Sequence, residues 1–178
     1  MNGTVSKTVV GSGPPRVRIP PSPLFNGFHY EWENEMMDKT FIAKATVTIN
    51  APAAKVWKAL TTPEILKQYY FGADIISDWK VGSSIIYKGE WQGKPYEDKG
   101  TILAFQPEKL LVATHWSPLS GVPDSAENYH KVTYELSVRD GQTTVTLTQD
   151  NNASEEEKTQ NDQFWKMLLD ALKKLLEG

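Results

Sequence analysis

Between residues 41 and 49 the chain alternates, with Phe41, Ala43, Ala45, Val47 and Ile49 set between Ile42, Lys44, Thr46 and Thr48. A period of two is the mark of a half-buried strand, so this segment is predicted to open a sheet. Asn50-Ala51-Pro52 stops it, and Pro52 suits the first turn of a helix. Residues 53–60 then place Val56, Trp57 and Leu60 on one helical face, and Thr62-Pro63-Glu64 restarts a second short helix with Ile65, Leu66, Tyr69 and Tyr70 as its apolar side. Further on, residues 73–79, 83–91, 96–105, 109–116, 128–138 and 142–149 read as strands. They are divided by Gly82, by Gln92-Gly93-Lys94-Pro95, by Gln106-Pro107-Glu108, by a longer loop at 117–127 and by Arg139-Asp140-Gly141. The last division is the clearest hairpin signal, because Val132, Tyr134, Leu136 and Val138 can face Val145 and Leu147 across it.

From Ser154 the period becomes helical. Ser154 is a suitable N-cap, Glu157 stands three residues later as in a capping box, and Glu155 and Glu156 complement the helix dipole. Phe164, Trp165, Leu168, Leu169, Leu172, Leu175 and Leu176 recur at three- and four-residue spacing, a stripe that must be buried against something, and the sheet is the available surface. The predicted architecture is α+β: a strand, two short helices, an antiparallel meander giving about seven strands in all, and a long C-terminal helix.

Residues 1–26 are rich in Gly, Ser and Pro, with Gly13-Pro14-Pro15 and Pro20-Pro21-Ser22-Pro23 breaking any regular element. Residues 1–40 are therefore expected to form a flexible or loosely docked arm, in which the aromatics and methionines of 28–38 could meet the folded body or a neighbouring chain. The folded domain is expected to occupy residues 41–178.

Composition narrows the function classes. The 178 residues suffice for one domain with a single core. Six Trp, seven Tyr and six Phe supply much apolar area with polar tips, a common makeup of pocket walls. A net charge of −3 argues against a phosphate-backbone partner, which needs clustered Lys and Arg. No apolar run approaches the ~20 residues that span a bilayer, and no apolar secretory segment opens the chain, so neither membrane insertion nor export is expected. Zero Cys removes disulfides, thiol nucleophiles and Cys-ligated zinc, compatible with a cytoplasmic protein.

Alternation along the strands puts Trp79, Tyr87, Trp91, Trp116 and Tyr134 on or near the concave face, opposed by Phe164, Trp165 and Leu168 of the last helix. These are the candidate ligand-binding residues if the gap between helix and sheet is incompletely filled; close packing is the alternative. His115 and His130 lie on strands that can pair, but three His and no Cys leave too few ligands for zinc, so no metal and no cofactor are expected. Asp74, Glu90, Glu97 and Asp98 are the mid-sheet carboxylates, and no nucleophile or phosphate loop accompanies them, so no catalytic residue is assigned.

The order of elements resembles the helix-grip fold of the START and Bet v 1-like (SRPBCC) superfamily. Ile49 to Thr61 (INAPAAKVWKALT), Trp79-Lys80-Val81-Gly82, Gly100-Thr101-Ile102-Leu103 with Pro107-Glu108-Lys109-Leu110, and Thr114-His115-Trp116 resemble segments of a narrower family. That family is the one similar to the carboxy-terminal domain of the activator of the heat-shock-protein-90 ATPase, the AHSA1-like family. The 140–149 hairpin and Trp165 fit it too, and the likeness runs over about residues 41–177, with Gly82-Ser83 where a Gly pair is common. The resemblance implies a non-enzymatic protein, monomeric or weakly dimeric, that holds a small hydrophobic or aromatic ligand (lipid, polyketide or flavonoid-like) between the C-terminal helix and the sheet. It also admits two alternatives: a chaperone-associated protein of the stress response that modulates the ATPase by protein contact, and a hydrolase or cyclase using the same cavity.

Overall fold

The computed structural model describes residues 41–178, and the arm expected at 1–40 lies outside the described residues. β1 (Phe41–Ile49) is followed by α1 (Ala53–Thr61) and α2 (Pro63–Tyr69). A meander then runs through β2 (Asp74–Ser77), β3 (Ser84–Trp91), β4 (Lys94–Gln106), β5 (Leu110–His115), β6 (His130–Arg139) and β7 (Gln142–Asn152), and α3 (Glu155–Glu177) ends the chain. The seven strands form one curved antiparallel sheet in the order β1-β7-β6-β5-β4-β3-β2. Every neighbour from β2 to β7 is the next strand in sequence; only β1 pairs across a long separation, with β7.

Local chemistry accounts for most boundaries. Asp140 and Gly141 carry φ of 52° and 78°, the left-handed pair of a two-residue hairpin loop, between the partners Arg139 and Gln142. Gln92 and Gly93 do the same for β3 and β4. β4 therefore begins at Lys94, earlier than the turn residues Lys94-Pro95 suggest, and Pro95 is tolerated because residues 94–98 pair with β3 alone. Strand β2 is shorter than the predicted 73–79: it stops at Ser77, whose hydroxyl accepts the Trp79 N–H, and Trp79 sits in a turn at φ 53°.

At the start of α3, Ser154 Oγ accepts the Glu157 N–H at 3.1 Å, and the Glu157 carboxylate accepts the Ala153 N–H at 2.6 Å, one residue before the position a regular capping box uses. Pro52 is the N-cap of α1 rather than its first helical residue.

Gly100 marks the tightest approach within the sheet. A Cβ there would lie 1.7 Å from the Thr114 carbonyl oxygen of β5, so no other residue fits without moving backbone. Two residues on, the register slips between Ile102 and Ala104, and the bulge adds to the bend of β4. The core lies on the concave face, where Ile49, Val145, Leu147 and Ile102 of the sheet meet Val56 of α1 and Leu168, Leu169 and Leu172 of α3, all essentially inaccessible to solvent. Of the predicted stripe of α3, Leu175 is its solvent margin.

Candidate functional site

Helix α3 covers the β1–β7 side of the sheet and leaves little there unfilled. Leu168 is buried against the sheet, and the Trp165 Nε1–H donates to Gln149 Oε1 at 2.9 Å. Gln149 Nε2 donates to Asn152 Oδ1, the same oxygen accepts from Asn161 Nδ2 of α3 at 2.7 Å, and Asn152 Nδ2 donates to the Phe41 and Gln149 carbonyls. This buried polar cluster ties β1, β7 and α3 together with its hydrogen-bonding capacity used.

A small internal space lies on the other side, under α1 and α2. Leu60, Leu66, Tyr70, Ile75, Trp79, Ile85, Tyr87, Leu111 and Tyr134 enclose a cavity of about 20 Å³, room for one water. Three expected residues, Trp79, Tyr87 and Tyr134, are in this wall. The others are placed elsewhere. Phe164 of α3 packs on Phe71 (ring centroids 5.7 Å) and on Trp165 (4.9 Å), while Trp165 and Leu168 belong to the core under α3.

Alternation that turns Ala113 and His115 inward turns Trp116 to the opposite face of β5. There it stacks on Tyr129 at 6.4 Å, beneath the ammonium of Lys99, which is itself paired with Asp124. Trp91 closes β3 opposite Lys94, and its side chain lies outside the described ones. Half of the six walls not foreseen, Leu60, Leu66 and Tyr70, come from α1, α2 and the turn after α2, whose apolar sides were legible but whose docking onto the β2–β5 region was not; Ile75, Ile85 and Leu111 come from β2, β3 and β5.

Beside this cavity the fold joins two residues that are 17 apart in sequence. Asp98 of β4 and His115 of β5 meet at 3.2 Å (Oδ2 to Nε2), with side-chain exposures of only 15% and 21%. The Tyr87 ring stands edge-on to His115 at 5.5 Å and tilts against Tyr70 at 5.6 Å; Tyr70 in turn touches Phe71. A continuous aromatic row thus leads from His115 through the cavity wall to the Phe71–Phe164 contact. Asp98 Oδ1 is buried, and among the described residues it has no hydrogen-bond partner. His130, the cross-strand neighbour of His115, turns its Nδ1 to the Asp150 carbonyl at 2.9 Å.

The electrostatics of the region keep the tyrosines neutral. Burial raises the pKa values of Tyr69, Tyr70, Tyr87 and Tyr134 well above 10.0, and the Asp98 charge adds to the effect at Tyr87 and Tyr70. Their hydroxyls therefore remain donors at every physiological pH. The Tyr69 hydroxyl donates to the Ala59 carbonyl, fixing α2 against α1.

A curved antiparallel sheet closed around a long terminal helix, with an aromatic wall beside it, defines a helix-grip protein. The chain belongs to the AHSA1-like family: the family model described as activator of Hsp90 ATPase homolog 1-like protein matches residues 50–177. A solution structure of ChR145 from Cytophaga hutchinsonii is similar at 52% identity and a TM-score of 0.69, over 76% of this chain and 93% of that one. The Aha1 dimer from Colwellia psychrerythraea (24% identity, TM-score 0.60, 76% and 96% covered) and CalU16 from Micromonospora echinospora (20%, 0.58, 78% and 85%) share the fold. No curated protein matches the chain. No helix among the described residues is long and apolar enough to cross a membrane.

Proposed function

We propose that the protein binds a small hydrophobic or aromatic ligand inside the grip, on the side of the sheet covered by α1 and α2. The observation that carries this reading is the position of the residual cavity: it is walled by Trp79, Tyr70, Tyr87 and Tyr134 with aliphatic neighbours. Such a wall, apolar with a few polar tips, is the usual makeup of a small-molecule site. At about 20 Å³ the space holds no aromatic compound as it stands, so binding requires the wall to move. In this reading the part that moves is the turn after α2. Phe71 is half exposed at φ 52°, a left-handed conformation costly for an aromatic residue, and its ring rests on Phe164 alone of α3's aromatics. Swinging Phe71 off Phe164 opens a path along Tyr70 to the cavity. Trp79, Tyr87 and Tyr134 then act as first contacts, with Phe164 at the rim; Trp165 and Leu168 hold α3 in place.

Native mass spectrometry of the purified full chain, with thermal melts against a panel of apolar aromatic compounds, tests this reading. A retained organic mass, or a rise of several degrees at ligand concentrations far above Kd, is the expected result. Neither a retained mass nor any shift would overturn it.

A second reading has the family description in its favour: contact with the heat-shock chaperone, altering its ATPase rate. Titrating the chaperone with the full chain separates the two, because that reading requires a changed ATPase rate without any small ligand.

A further inference from the structure

A buried carboxylate oxygen without a partner costs stability, and native proteins seldom keep one without a use. Asp98 Oδ1 is such an atom, and its surroundings are specific. The other oxygen, Oδ2, is 3.2 Å from His115 Nε2, the one hydrogen bond of the carboxylate among the described residues. Tyr87, which pairs with Asp98 across β3 and β4, contacts His115 edge-on and lines the cavity. Tyr70 packs on Tyr87, with ring centroids 5.6 Å apart, and lines the same cavity. The carboxylate thus adjoins the aromatic lining, on the concave face, at a place where water is largely excluded.

We infer that Asp98, oriented by His115, is a polar anchor that selects ligands carrying a hydrogen-bond donor: a phenol or similarly hydroxylated aromatic whose ring lies among Tyr70, Tyr87 and Tyr134 and whose hydroxyl donates to Asp98 Oδ1. This inference rests on the proposed ligand-binding role and adds the chemical class of the ligand. A carboxylate accepts and does not donate, so the site favours donors and disfavours ethers, ketones and above all carboxylates. A site built to accept from a hydroxyl leaves its buried oxygen unpaired when the hydroxyl is missing, which makes the discrimination larger than the contact alone. His115 acts as a positioning residue, because it touches Asp98 and not the ligand.

The test is a calorimetric titration of the full chain with three probes of one shape: 2-naphthol, which donates; 2-methoxynaphthalene, which only accepts; and naphthalene, which does neither. The expected order is 2-naphthol bound at least tenfold more tightly than the other two, with that advantage lost in Asp98→Leu, which has no acceptor, while naphthalene affinity is not reduced. His115→Gln, which can still donate to Asp98, is expected to retain most of the advantage, and His115→Leu to lose most of it. Equal affinity for all three probes, or an advantage that survives in Asp98→Leu, would overturn the anchor while leaving ligand binding intact. Failure of every probe to bind would overturn both. Because the decisive comparison uses the unaltered protein, it does not depend on any variant folding.

Discussion

On the β1–β7 side of the sheet each member of the buried polar cluster has its partners: Trp165 gives its N–H to Gln149, Gln149 gives to Asn152, and Asn152 collects Asn161 and holds the Phe41 carbonyl. On the β3–β5 side, a less deeply buried carboxylate, that of Asp98, meets His115 with one oxygen and leaves the other, itself buried, without a partner among the described residues. Both are polar groups in a greasy interior, and they differ in completeness. The first arrangement fixes where α3 lies, since any shift of the helix breaks several hydrogen bonds at once. The second fixes nothing that its absence would release. The small cavity falls on the same side as the incomplete group and away from the complete one. The fold therefore divides its concave face into a part that determines structure and a part held ready for something else.

The largest expected effect tests whether the cavity side is truly closed. Tyr69, Tyr70, Tyr87 and Tyr134 are all raised above the ordinary value of 10.0 by burial. The unfolded chain loses these protons first, so their stabilisation is complete below pH 10 and declines above it, by about 1.4 kcal/mol per pH unit for each tyrosine. An ultraviolet titration at alkaline pH, followed alongside near-ultraviolet circular dichroism, should show these four ionising only as the fold is lost. Smooth ionisation near pH 10 with the dichroism intact would mean that this side is already open to water.

Smaller, and on the other side, is the effect of Gln149→Leu. It strands the Trp165 N–H and disturbs Asn152, and should lower unfolding free energy in urea by about 3 kcal/mol. A loss below about 1 kcal/mol would mean the cluster does not hold α3. The smallest effect is the most telling: Asp98→Asn removes a buried charge that is only half satisfied, and should leave stability within about 0.5 kcal/mol of the parent or raise it. If it instead destabilises as much as Gln149→Leu, the two regions are alike and the contrast fails.

Much of the fold was legible in local pattern. The alternation from Phe41 to Ile49, the Asp140-Gly141 loop and the Ser154 cap act through neighbours a few residues apart, and each led to the element observed. The seven-stranded antiparallel sheet and the terminal helix follow from these signals together. What alternation could not supply was the side on which a residue near a strand end points. Trp116 follows His115 by one residue and so faces away from it, toward Tyr129. Trp79 left the strand pattern altogether, because Ser77 captures its N–H and turns the chain. The meeting of Asp98 and His115 was hidden for a different reason: it depends on the register of β4 against β5, to which the bulge after Ile102 and the closeness permitted by Gly100 both contribute. Each residue was visible as a mid-sheet carboxylate or a strand histidine, and neither alone carries any sign of the other.

The topology also bears on how the molecule is made. Strands β2 to β6 each pair with the next strand to be synthesised, but β1 finds its partner only in β7, with Thr48 opposite Thr144. During synthesis β1 must therefore wait for this partner until β2 to β7 have all followed it. Its pairing closes by far the longest loop among the described strands, which predicts a late and slow step of folding. During that wait its apolar row from Ala43 to Ile49 is exposed to other nascent chains, and protection of this single strand is where assistance in the cell would matter most.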